Sequence, residues 1–386
     1  MIQQERRIVS IDALRGIAAL SVVFWHWQHF LPSKSPDQFP LYWLLWPLYD
    51  HGRIGVDLFF CVSGFVFFTL YADRISERNV SAARFTMLRF SRLYPLHFLT
   101  LIAVVCLQAI FYAQTSRYFI YSQNSLGYFG LQLILASNWW PSHYSFNGPI
   151  WSVSIEVLLY VCFFILMRLR LRNPLILAAI ALTGLWLIDF NQNLGRGVFS
   201  FFQGCICAII YFEIRIRSVS AITTTAATAV LLGSIAWKYP AIPTADELLR
   251  FYFCPFVLCA AALIDQRFNR VIYPLEWLGY ISYSSYLLHF PMQLVLVTFL
   301  VTTGTSVDFS SPITLVLFFA ALIFCSLASF TYLEQPVMQD IRRMHERQTL
   351  KAKQRHESEL AFSAPLACMA TLWRRRRHLG ELRRRD

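Results

Sequence analysis

IDALRGIAALSVVFWHWQHF, residues 11–30, is an apolar run of helix length that contains Arg15 and, eleven positions later, His26. An ideal helix turns ~100° and rises ~1.5 Å per residue, so the two side chains share a face within ~20° and stand ~16 Å apart. That distance is about half the ~30 Å hydrocarbon thickness of a bilayer. If the run crosses a membrane, the cation marks one interface and the imidazole lies beyond the midplane. An ionisable group at that depth is costly and is a functional candidate by default.

The rest of the chain supports the crossing. Of 386 residues, 56% are hydrophobic and 16% aromatic, the mean hydropathy is +0.48, and only 15% are charged, against ~25% in soluble domains. The apolar runs have helix length, which predicts an all-α, polytopic membrane bundle. Ten spans are expected: 12–31, 54–72, 93–113, 150–167, 174–190, 196–213, 219–237, 248–264, 275–301 and 311–332. An even number returns both termini to one side. Before the tail is counted, fifteen basic residues fall on the N-terminal side and six opposite, so both termini are expected in the cytoplasm, in a cytoplasmic (inner) membrane. Residues 126–137 are too few to span and predict a re-entrant or interfacial piece on the outer side. Arg6 and Arg7 precede the first run as in a signal peptide, but no small-residue cleavage site follows, and retention is expected. The nine cysteines lack metal-ligand spacing and read as packing residues, so no metal is expected.

The membrane domain is read as 10–336 and a tail as 337–386. From Asp340 onward the tail holds 13 Lys/Arg against 6 Asp/Glu, with WRRRR at 373–377 and RRR at 383–385. It predicts a disordered or surface-bound segment drawn to anionic lipid headgroups. No nucleic-acid partner is expected.

Few polar residues lie inside the spans. Asp12 stands three before Arg15, so an interfacial ion pair competes with a site role for Arg15. RIGVDLFFCVSGFVFF (53–68) carries Asp57, read equally as a helix cap or a substrate contact, and Ser63. RFSRLYPLHF (89–98) places Arg89 and Arg92 on one helical face, where forked guanidiniums suit phosphate oxygens. NGPIWSVSIEVLLY (147–160) opens on turn residues. It offers Trp151 for an interface and stacks Ser152, Glu156 and Tyr160 at four-residue spacing. A carboxylate one to two turns into the membrane needs a partner. A histidine on another helix and a structural interhelix bond are both open. YISYSSYLLHFPM (280–292) sets His289 before Pro291, which frees a carbonyl and favours a kink.

With these motifs in view, the chain resembles the type-3 membrane acyltransferases that O-acylate polysaccharides, lipopolysaccharide and related glycans. Arg15 and His26 with ten residues between, GVDLFFCVSGF (55–65), RFSRLYP (89–95), NGPIWSVSIE (147–156), GYISYSSYLLHFP (279–291) and TYLEQP (331–336) carry the resemblance, in the family's order. The resemblance implies acyl transfer from cytosolic acyl-CoA, usually acetyl-CoA, to a sugar hydroxyl on a glycan or glycolipid acceptor. It implies His26 as the catalytic histidine with Arg15 its companion, Arg89 and Arg92 on the coenzyme's phosphates, and Glu156 at the family's acidic position. Val157 stands where many members have a second acid, which speaks against paired carboxylates. An appended esterase-like domain, carried by some members, is not expected here.

The expected chemistry is general-base catalysis. His26 removes the acceptor's proton, and Glu156 orients it or charges with it. Arg15, Arg89 and Arg92 hold the CoA end, and Asp57, Ser63, Trp151, Ser152 and His289 are candidates for the acceptor side. Arg15 and His26 are expected to line one passage. The rival class is a multi-pass secondary transporter for a small anionic or sugar solute, which also places ionisable groups in mid-membrane.

Overall fold

Helix follows helix along the chain. The computed structural model describes residues 8–31, 33, 35–215, 245–348, 350 and 354, and among them there is no β-strand. The principal helices are α1 (Val9–Trp25), α2 (Tyr42–His51), α3 (Gly55–Ser76), α4 (Ala82–Thr115), α5 (Leu126–Leu133), α6 (Ile150–Arg168), α7 (Pro174–Phe190), α8 (Gln192–Arg215), α9 (Cys254–Ile272), α10 (Glu276–Thr303) and α11 (Pro312–Ser329). A π-turn, Phe330–Glu334, joins α11 to a further helix, α12 (335–348). Local chemistry sets several starts. Ser81, Ser125, Asn173 and Ser311 each accept a hydrogen bond from a first-turn N–H, and Pro174 and Pro312 occupy first-turn positions.

Seven helical stretches, Val9–Phe30, Tyr42–Ser76, Ala82–Thr115, Ile150–Arg168, Gln192–Phe212, Arg270–Thr303 and Pro312–Gln348, are long and apolar enough to cross a bilayer. The protein is an all-α, polytopic membrane protein. Of the ten expected spans, 219–237 lies outside the described residues, and the other nine fall on helix. Two of those nine are weaker than expected. The α7 helix has 17 residues. The α9 helix carries Asp265, Arg267 and Arg270 in its second half and leaves helical geometry at Phe268. Segment 126–137 yields only the eight residues of α5.

Two boundaries differ from expectation with visible causes. The first helix does not run to 31: it ends at Trp25, and His26–Phe30 tightens into a 3₁₀ turn. At this end the Val22 carbonyl accepts from both the backbone N–H and the ring Nδ1 of His26, and the same N–H is shared with the Phe24 carbonyl. The α4 helix begins at Ala82 rather than 93, so Arg89 and Arg92 lie within its second and third turns.

The outward surface is apolar. Trp186 is 82% exposed and Phe324 73%, which suits acyl chains rather than water. Inside, α1 packs along α10 and α3, α8 lies against α3 and α7, and α4 closes on α10. Close approach depends on glycine: a Cβ on Gly64 or Gly204 would strike the carbonyl of Phe201 or Cys61 on the facing helix. The α10 helix runs unbroken through Pro291, and the carbonyl that proline frees, at Leu287, accepts from Asn147 Nδ2 at 3.4 Å.

Candidate active site

Between α1, α3, α4, α6 and α10, with α12 across one end, lies a cavity of about 460 Å³. Arg15, Arg89, Arg92 and Arg342 line it at the end bearing the chain's N-terminus, and Val56, Ser152 and Tyr286 line the opposite end. Between these ends stand Ser63 and Glu156. Glu156 Oε1 accepts from Ser63 Oγ at 2.6 Å and from Tyr160 Oη at 2.5 Å. The expected choice between a histidine partner and an interhelix bond therefore falls on the bond: α3 and α6 are tied across the cavity wall by a carboxylate that still faces it.

Arg15 pairs with Asp12 at 3.6 Å, as the spacing allows, and donates to Ser282 Oγ at 3.3 Å while it lines the cavity. Arg89 donates to Tyr71 Oη at 2.6 Å, and its guanidinium lies 4.7 Å from the Phe67 ring centroid and 5.1 Å from that of Tyr71. Four arginines and two acids, Asp12 and Glu156, line the cavity, which leaves it cationic.

His26 does not line this cavity, contrary to the expectation of one passage shared with Arg15. It is 7% exposed and turned inward, its ring centroid 4.8 Å from His29 and 4.8 Å from His289. Tyr286, at the cavity's end, stands 5.9 Å from His289. Tyr286 Oη shares a 2.8 Å hydrogen bond with Ser152 Oγ and donates to the Pro149 carbonyl at 3.0 Å. The tautomer of His26 follows from its partner. A carbonyl only accepts, so Nδ1, 2.9 Å from Val22 O, carries the proton, and Nε2 keeps its lone pair. Gln293 braces the cluster: its Oε1 receives His29 Nδ1 at 2.9 Å, and its Nε2 donates to the His26 carbonyl at 3.0 Å. Among the described residues, both ring nitrogens of His289 are buried without a hydrogen-bond partner. No group of three or more His, Cys, Asp or Glu among the described residues is disposed to hold a metal ion.

Asp57 and Trp151 sit in neither place. Asp57, fully buried at the start of α3, receives Arg196 Nη2 at 2.7 Å, Arg196 Nε at 3.2 Å and Arg250 Nε at 2.8 Å. The carboxylate is neither a cap nor open to a ligand. Trp151 lies under the Arg196 guanidinium at 5.5 Å. Arg250 comes from the turn after Asp246, whose carboxylate is bound by His51 and Arg53. Burial alone would raise the Asp246 pKa, but those two partners hold it below the usual carboxylate range.

Three groups thus replace the single constellation expected: Arg15, Arg89, Arg92, Ser63, Ser152 and Glu156 on the cavity, His26 with His289 beyond its end, and Asp57 with Trp151 in an ion cluster. The sequence reading did not single out His29, Gln293, Tyr286, Arg196, Arg250 or Arg342. A signal existed for two of them, since His29 follows His26 by three and Gln293 follows His289 by four, both same-face spacings.

Residues 8–331 match the model of an acyltransferase domain. The chain belongs to the type-3 acyltransferase family. Peptidoglycan O-acetyltransferase OatA of Listeria monocytogenes is 23% identical over 373 residues, which cover 86% of this chain and 56% of that protein. The chain therefore spans little more than half the length of that relative. A Komagataeibacter xylinus protein that bears the name membrane-bound transacylase BcsY is 27% identical over 306 residues, 73% of this chain and 72% of its own. Acyltransferase MdmB of Streptomyces mycarofaciens is 30% identical over 176 residues, 44% of this chain and 41% of its own. No solved structure matches the chain.

Proposed function

We propose that this type-3 acyltransferase moves an acyl group, acetyl by preference, from cytosolic acyl-CoA to a hydroxyl of a surface or exported carbohydrate, with His26 as general base. One observation carries the reading: a cationic cavity runs from four arginines to Tyr286, beyond which His289 stands 5.9 Å away and His26, whose Nδ1 is spent on Val22 O and whose Nε2 keeps its lone pair, a further 4.8 Å. The arginine-rich end faces the cytoplasm, where basic loops accumulate. There the guanidiniums of Arg89 and Arg92 take the coenzyme's phosphates, and Arg15 stands further along the same wall. The pantetheine arm extends past Ser63 and Glu156 towards Ser152.

A thioester is already activated, so the protein's work is to align it and to deprotonate the alcohol. His26 Nε2 accepts the hydroxyl proton as the alcohol oxygen bonds to the thioester carbon. The carbon–sulfur bond then breaks, and the proton passes to the departing thiolate. Val22 O fixes the tautomer from behind and stabilises the charged ring. Glu156, bound to Ser63 and Tyr160, shapes the arm's channel as a positioning residue. The acceptor enters from the opposite side of the membrane, near His289 and Trp151. The transporter reading predicts solute uptake without a new bond. Incubation of the purified protein with radiolabelled acetyl-CoA and glycan-bearing membranes tests the reading. Label covalently on carbohydrate supports it, and label that enters vesicles but stays on a small molecule overturns it.

A further inference from the structure

Arg342 lies eleven residues beyond the end of the family match at 331, at the head of what reads in sequence as a basic tail. Because the π-turn Phe330–Glu334 carries the last span on into α12 without a break, this part of the tail is folded back on the bundle. Met338 and Arg342, one helical turn apart, both line the cavity. The next residue, Arg343, faces away: its side chain is 66% exposed and pairs with Asp340 at 3.9 Å. Arg342 is therefore selected by helix phase from a run of basic residues.

Its surroundings are unusual for a structural arginine. The charged and polar groups it faces are Arg89, Tyr71 and Glu346. Two guanidiniums thus approach each other, and the Nε of each is buried without a hydrogen-bond partner among the described residues. Arg89 spends its other donor face on Tyr71. Buried N–H groups without acceptors are costly, and two like charges that share them form a receptacle for a group with several anionic oxygens. A phosphoryl group meets that need, since its oxygens accept from two forks at once.

We infer that Arg342 is a fourth donor-site cation, which acts with Arg89 on a phosphoryl group of the acyl-CoA, so that the start of the tail is part of the substrate site. This rests on the donor reading above. A lipid headgroup offers the same chemistry, and the experiment separates the two sources.

Binding of CoA is measured for the full chain in neutral detergent, for the unmodified protein and for Arg342→Gln, Arg342→Lys, Arg343→Gln and Arg89→Gln. Loss of one charge-assisted contact corresponds to about ten-fold or more in affinity. Arg342→Gln is expected to weaken CoA by that factor, Arg342→Lys to recover part of it, and Arg343→Gln to bind as the unmodified protein does. With acetyl-pantetheine, which has no phosphate from the nucleotide, KM is expected to be the same with and without Arg342. A retained thermal midpoint shows that Arg342→Gln is folded. If Arg342→Gln binds CoA normally while Arg89→Gln does not, this inference falls and the donor reading stands. If the Arg342→Gln defect appears only in phosphatidylglycerol bilayers, the partner is a headgroup and the inference falls. If the unmodified protein binds no CoA, both fall.

Discussion

In the role of base proposed above, His26 would depend on three contacts that leave Nε2 its lone pair. Val22 O takes the Nδ1 proton, Gln293 holds the backbone carbonyl, and His289 packs against the ring. His26→Ala is expected to lower transfer by about 10²-fold or more, with CoA affinity unchanged because the arginines lie elsewhere. Steady-state rates beside CoA binding decide this, and substantial turnover by the variant would remove His26 as the base. Gln293 bonds to His26 and does not line the cavity, so if His26 is the base, Gln293→Ala should lower kcat by about ten-fold and leave KM where it was. A rise in KM alone would show instead that Gln293 contacts substrate. His26, Arg15 and Glu156 were legible in the sequence because an ionisable residue inside an apolar run is conspicuous whatever its partner. Gln293 was not, because an amide in a helix acquires meaning only from the group it meets 267 residues away.

At the level of elements, α3 shows how pairing across the chain escapes a reading along it. Asp57 was readable as polar and near an interface. Its partners Arg196 and Arg250 stand 139 and 193 positions further on, and nothing local announces them. The carboxylate anchors α3 to α8 and to the approach to α9. Removing one member of a buried ion cluster leaves its partners' charge uncompensated, at a cost of about 3–5 kcal/mol. Asp57→Asn should therefore lower the thermal midpoint sharply, and a second change, Arg250→Met, should restore part of the loss. An unaltered midpoint in the single variant would show that the cluster does not hold the helices. Asp246, from the same turn, gives a pH dependence. Its folded pKa is lowered, so its stabilising share is complete at neutral pH and declines as pH falls through and below the ordinary carboxylate range. Thermal midpoints of the unmodified protein and of Asp246→Asn should converge on acidification. Curves that stay parallel would contradict this.

For the molecule as a whole, the membrane architecture was the most legible feature, since apolar runs of helix length report themselves in composition. Less legible were the exact ends of α1 and α4, where a side chain's bond to the backbone or a serine cap outweighs hydropathy. The tail's double character was hidden too, because Arg342 differs from its basic neighbours only in helix phase. Orientation is open to direct measurement. Cysteine introduced at Arg78 should react with a membrane-impermeant maleimide only after cells are opened, whereas cysteine at Thr305 should react in intact spheroplasts. The reverse pattern would invert the assignment of donor and acceptor sides.

The knot of Ser152, Tyr286 and Pro149 matters beyond the reaction. An energised cell lives on an electrochemical gradient of protons, and a water-lined shaft through most of the bilayer would discharge it. If the donor proposed above enters from the arginine end, these two hydroxyls, bonded to each other and to one carbonyl, keep the cavity closed at its other end and must part for the thioester to pass towards His26.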